Sequence, residues 1–104
     1  MLFAGDAGAQ SEARMLAAGT ELAADILKVG HHGSAYSSTP AFIAAVHPRF
    51  VLISVGRHNL FGHPAPTTLF TLRSAGATAY RTDLCGSIIV KADMNVRIAT
   101  TLDC

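Results

Sequence analysis

At 104 residues the chain has room for one domain or part of one, and enough length to bury a core. Half of it is apolar and only 14% is charged, below the roughly 25% of an ordinary soluble domain; this fits either a small alanine-rich domain or a piece with one face covered by a missing partner. A net charge of +1 excludes a basic electrostatic footprint for nucleic acid, two cysteines outside any Cys-x-x-Cys pair exclude a disulfide framework or zinc ribbon, and the lack of a run of about 18 apolar residues excludes a transmembrane helix.

Met1 to Ala4 reads as a short apolar strand ending in Gly5-Asp6, with no basic-then-apolar leader before it. A chain that opens inside a strand is expected to be cut from something longer. Ala9 to Ala18 holds good helix formers, and Gly19 can stop the helix. Ala24 to Val29 is the second strand, and Gly30 to Ser38 a Gly- and Ser-rich loop. Thr39-Pro40 fits an N-cap followed by proline at the first helical position, opening a helix through Val46 that Pro48 closes. Phe50 to Ser54 is a continuous apolar strand of the kind buried on both faces. A loop bearing Gly and His runs from Val55 to Ala65, and Pro66 to Ser74 is the third helix. Thr78 to Arg81 and Ser87 to Ala92 are strands, with a polar turn expected at Arg81-Thr82-Asp83. Asp93-Met94-Asn95 makes a tight turn into a last strand, Val96 to Thr100. Strands alternating with helices predict an α/β fold in which functional loops gather at the carboxyl ends of the strands.

The chemistry-bearing residues fall at those ends. Asp6 follows the first strand, His31 and His32 the second, and His58 and His63 the third, whereas His47 ends a helix and reads as structural. Asp6 serves either as a helix cap or Asx turn or as a carboxylate ligand for a divalent metal. On an extended segment the adjacent imidazoles of His31 and His32 would point to opposite sides, so only one could reach a given metal; in a loop both could converge. The flanking Gly30 and Gly33 permit close backbone approach. Pro64 and Pro66 stiffen the segment around His63, which is either part of a rigid loop or presented to substrate. Arg57, His58 and Asn59 are solvated or add polar contacts to a phosphate. Cys85 reads as a buried or turn thiol and Cys104 as a mobile end.

The string from Leu27 to Leu69 contains Lys-Val-Gly-His-His-Gly-Ser and then Gly-His-Pro. Together with Phe-Ala-Gly-Asp before it and Tyr-Arg-Thr-Asp-Leu-Cys-Gly-Ser-Ile-Ile-Val after it, this string resembles the C-terminal half of the metallo-β-lactamase-like domain of ComEC-type competence proteins. The resemblance covers nearly the whole chain. It implies that residues 1–104 are the second half of an αβ/βα sandwich, a mixed sheet with helices packed on one face. It further implies a site for two divalent metals, zinc or manganese, that activate water against a phosphodiester or similar ester. Asp6 would bridge the metals, His32 would be the last His ligand, and His31 and His63 would be the catalytic residues facing substrate. The parent would be a bacterial inner-membrane protein of DNA uptake, with this domain soluble and DNA or another phosphodiester as substrate.

The chain departs from the family in lacking the His-x-His-x-Asp-His motif and the His that follows it. A catalytic zinc uses three protein ligands and an open position. The fragment is therefore expected to bind metal weakly and to be inactive alone, with a missing N-terminal half-domain or a second copy as its partner. The competing reading is a catalytically silent module for binding or oligomerisation.

Overall fold

The computed structural model describes residues 1–19, 21–92 and 94–104. In chain order the elements are β1 (Leu2–Phe3), α1 (Ala9–Ala17), β2 (Ile26–Lys28), α2 (Pro40–Val46), β3 (Phe50–Ile53), α3 (Pro66–Ser74), β4 (Thr78–Arg81), α4 (Thr82–Cys85), β5 (Ile88–Ala92) and β6 (Val96–Thr100). Among the described residues no helix is long and apolar enough to cross a membrane.

Strands β1 to β4 form one parallel sheet in the order β1-β2-β3-β4. Each consecutive pair is joined through a helix, and a helical crossover is what returns a chain parallel to its previous strand. Strands β5 and β6 pair antiparallel in a separate two-stranded sheet. The expected mixed sheet is thus corrected: the parallel strands β1 to β4 and the antiparallel pair β5–β6 lie in separate sheets, the short helix that follows β4 standing between them in the chain. Of the expected tight turn into β6, Asp93 lies outside the described residues.

The register places Leu27 opposite Val51 and Val51 opposite Ala79. Residues two apart share a face of a strand, so Leu27 and Val29 join Val51 and Ile53 on one surface. These four cluster with Phe42, Ile43 and Val46 of α2 and Leu72 of α3, while Met15 and Leu16 of α1 pack against the edge of the cluster. Ile26 and Leu52, of opposite parity, are buried as well. Burial on both faces is why β2 and β3 read as unbroken apolar runs.

Local chemistry sets α2. The Thr39 hydroxyl accepts from the Phe42 N–H at 3.3 Å, and Pro40 opens the helix. His47 closes it in a left-handed conformation, its N–H reaching the Ile43 carbonyl at 2.8 Å. A second reinforcement comes from α1. The carboxylate of Glu12, fully buried, accepts from the N–H groups of Ser38 at 2.6 Å and Thr39 at 2.8 Å. These are N–H groups at a helix start that would otherwise lack partners.

Two expectations near the end of the chain are overturned. Residues 82–85 form the short helix α4 where only a turn was expected. The Thr82 hydroxyl donates to the Val55 carbonyl at 2.9 Å and accepts from the Val55 N–H at 2.8 Å, which clamps the helix start to the end of β3. Arg81 pairs with Asp83 through two hydrogen bonds, at 3.0 and 2.7 Å. That hydrogen bonding to Arg81, helped by its charge, holds the Asp83 carboxyl below the ordinary range and raises Arg81 in turn. Cys85 and Cys104 are not free thiols: they form a disulfide across 19 positions, with Cα atoms 5.1 Å apart. Bringing them together requires β5 and β6 to fold back as a hairpin, so nothing in the local sequence announces the pair. Closing a loop of this length restricts the unfolded chain, and Cys104→Ser is expected to lower stability by about 2 kcal/mol. A denaturant midpoint unchanged by the substitution would show that the bond contributes nothing.

Candidate functional site

Because β1, β2 and β3 run parallel, the loops after them emerge at one rim. Backbone contacts then stitch those loops together. The His31 N–H donates to the Gly5 carbonyl at 2.8 Å, tying the second loop to the first. Gly30 makes that approach possible, since a Cβ there would stand 2.7 Å from the Ala7 carbonyl oxygen. The Ala65 N–H donates to the Gly33 carbonyl at 2.8 Å, tying the third loop to the second. The third loop is braced internally by Asn59. Its amide nitrogen donates to the carbonyls of Gly56 at 3.0 Å and His63 at 2.9 Å, and its oxygen accepts from the His63 N–H at 2.9 Å. The result is a pocket of about 260 Å³ lined by Asp6, His31, His32, Phe61 and His63.

The two adjacent histidines do not continue the strand. Gly30–Gly33 is a tight turn in which His31 and His32 take left-handed dihedrals, φ 52° and 53°. For residues with a Cβ this conformation costs of order 1 kcal/mol each and persists only where surrounding contacts enforce it. The strict alternation of an extended segment therefore does not apply, and both residues line the pocket.

The His32 ring is held by one backbone contact. Its Nδ1 lies 2.5 Å from the Ser54 carbonyl oxygen. A carbonyl only accepts, so Nδ1 carries a proton toward it, and Nε2 is the ring nitrogen left to face the pocket. A histidine whose second nitrogen donates to a backbone carbonyl is oriented as metal-ligating histidines usually are. Asp6 is not consumed as a helix cap, because the cap position of α1 is Gly8. A carboxylate and an imidazole nitrogen are donor types that suit a borderline divalent cation. The donor types fit; the donor number does not complete a site, for among the described residues no group of three or more His, Cys, Asp and Glu side chains is arranged to hold a metal ion.

The pocket omits several residues that the sequence offered. His58 and Arg57 are exposed and do not line it, and Asn59 serves the backbone of its own loop rather than a phosphate. His47 ends α2, as read from sequence. Sequence reasoning missed Phe61, whose ring stacks on that of His63 with centroids 5.8 Å apart and planes 30° apart. Its one local signal was an aromatic beside Gly62-His63-Pro64.

Comparison with known proteins bears on what this rim belongs to. No family model matches the chain, and no solved structure matches it significantly. It is 34% identical over 87 residues to ComE operon protein 3 of Bacillus subtilis (strain 168), covering 84% of this chain and 11% of that protein. A family of competence proteins fits the chain. Competence protein ComA of Neisseria gonorrhoeae is 34% identical over 89 residues, 85% of this chain and 13% of its own length. Recombination protein 2 of Haemophilus influenzae (strain ATCC 51907 / DSM 11121 / KW20 / Rd) is 32% identical over 90 residues, 86% of this chain and 11% of its own. The chain thus spans about a tenth of the length of these relatives.

Proposed function

We propose that the chain is the second half of a metallo-β-lactamase-type hydrolase domain acting in DNA uptake, within a parent protein of the bacterial inner membrane. The observation that carries this reading is the convergence of Asp6, His31, His32 and His63 on one pocket at the carboxyl ends of three parallel strands. The relatives' names support the link to competence. Asp6 and the Nε2 of His32 would hold a zinc or manganese ion together with ligands from outside this chain. The cation, when bound, would supply Lewis acidity toward a phosphoryl oxygen and activate water. His31 and His63 would face the substrate phosphodiester and hydrogen-bond its oxygens, and the Ser54 carbonyl would keep the His32 ring in its ligating orientation.

Calorimetric titration of the chain with zinc, then manganese, tests this. Weak uptake is expected, reduced on the order of tenfold or more in Asp6→Ala and in His32→Ala, since each removes one of very few ligands. Equal affinity in all three proteins would sink the reading. The low content of charged residues, 14%, favours a second reading, a catalytically silent module that assembles with a second copy or another protein. A stable dimer that takes up no metal, and in which Asp6→Ala changes neither stability nor assembly, would establish that alternative.

A further inference from the structure

One ring of the pocket takes its orientation from a residue that does not line it. The peptide unit between Ser54 and Val55 is held on both sides. Its carbonyl oxygen, that of Ser54, accepts from Nδ1 of His32 at 2.5 Å. Its N–H, that of Val55, donates to the Thr82 hydroxyl at 2.8 Å. A peptide unit is a rigid plate, and in the trans form its C=O and N–H point in opposite directions. Holding the N–H therefore sets where the carbonyl points.

Strand pairing does not do this holding. The last register pair of β3 and β4 is Ile53 with Arg81, and at Thr82 the chain turns into α4. The Thr82 side chain takes over where the ladder stops. A hydroxyl both donates and accepts, and this one oxygen serves the Val55 N–H and, at 2.9 Å, the Val55 carbonyl. Val55 is only 8% exposed, so water is a poor substitute. Arg81 and Asp83 pair across Thr82 and steady the start of α4. Ring, peptide and hydroxyl thus form one chain of hydrogen bonds in which each polarises the next. We infer that Thr82 is a positioning residue of the pocket, fixing the tilt of the Ser54–Val55 peptide and, through the Ser54 carbonyl, the orientation of the His32 ring. The role concerns the protein's own ring and needs no bound ion; its bearing on catalysis rests on the hydrolase reading.

The test is NMR of the chain with 15N-labelled backbone and histidine rings, the His32 signals being assigned by their absence from His32→Ala. A ring N–H proton is observed where a hydrogen bond slows its exchange with water. The wild type should show the His32 Nδ1–H and a slowly exchanging Val55 amide; absence of either overturns the inference without any variant. Thr82→Val keeps the shape and removes the hydroxyl. It should lose the His32 signal while core methyl shifts report an intact fold, and Thr82→Ser should restore it. If the valine protein does not fold, Thr82→Cys takes its place, with a weakened signal expected from its poorer donor and acceptor. Cys104→Ser is the control for loosening at the far end of α4 and should keep the signal. A Thr82→Val protein that retains the His32 Nδ1–H would overturn the inference, as would equal loss in Cys104→Ser. Zinc titration keeps the two levels apart. A His32 signal that depends on Thr82, beside zinc uptake insensitive to Asp6→Ala, upholds the positioning role and sinks the hydrolase reading.

Discussion

Replacing Glu12 by Ala is expected to lower stability by about 4 kcal/mol. The side chain is fully buried and holds the N–H groups of Ser38 and Thr39 at 2.6 and 2.8 Å. Hydrogen bonds to a charged group contribute roughly 1.5–3 kcal/mol each, and their loss leaves two donors without partners. Ser38 also holds a left-handed φ of 55°, which nothing else at its N–H would enforce. Glu12→Gln separates the acceptors from the volume. The amide keeps the shape but turns an N–H toward a backbone N–H, so it too should be destabilising. Denaturant midpoints measure both effects. A loss under about 1 kcal/mol in Glu12→Ala would mean that water replaces the carboxylate freely.

Gly33→Ala should cost about 3 kcal/mol and loosen the pocket. At φ +82° a residue with a Cβ pays of order 1–2 kcal/mol for the dihedral alone. The added Cβ would also sit 2.6 Å from the Cβ and 3.0 Å from the Cα of Pro64, so the His63 loop must move away. Such overpacking adds about 1–3 kcal/mol. Gly62→Ala is the control. Its φ is +66°, but a Cβ there meets nothing within 4 Å, so only the dihedral cost applies. Equal losses in the two variants would show that the contact between the second and third loops is not tight. A larger loss in Gly33→Ala, accompanied by weaker metal uptake, would tie loop packing to the site.

Where local chemistry dominates, the elements were legible. Pro40–Val46 and Pro66–Ser74 match their sequence-based bounds because proline at a first helical position announces a start. Thr78–Arg81 and Val96–Thr100 match theirs as well. The first two strands proved shorter, with β1 reduced to Leu2–Phe3 and β2 to Ile26–Lys28, and at their carboxyl ends pairing stops where the stitched loops begin. The helix α4 was hidden because its start is held by Val55, 27 positions earlier.

The sequence by itself determined the α/β alternation, the candidate residues Asp6, His31, His32 and His63, and the likeness to competence proteins, since residue type, periodicity and motif order are properties of neighbours along the chain. The tertiary structure alone decided that strands β5 and β6 leave the parallel sheet, that Cys85 bonds Cys104, and that Glu12 supports the start of α2. It alone also decided that His31 and His32 turn left-handed and that Phe61 joins the pocket wall. Each of these depends on groups far apart in the chain meeting within hydrogen-bonding or packing distance, and short-range preference carries no information about such meetings.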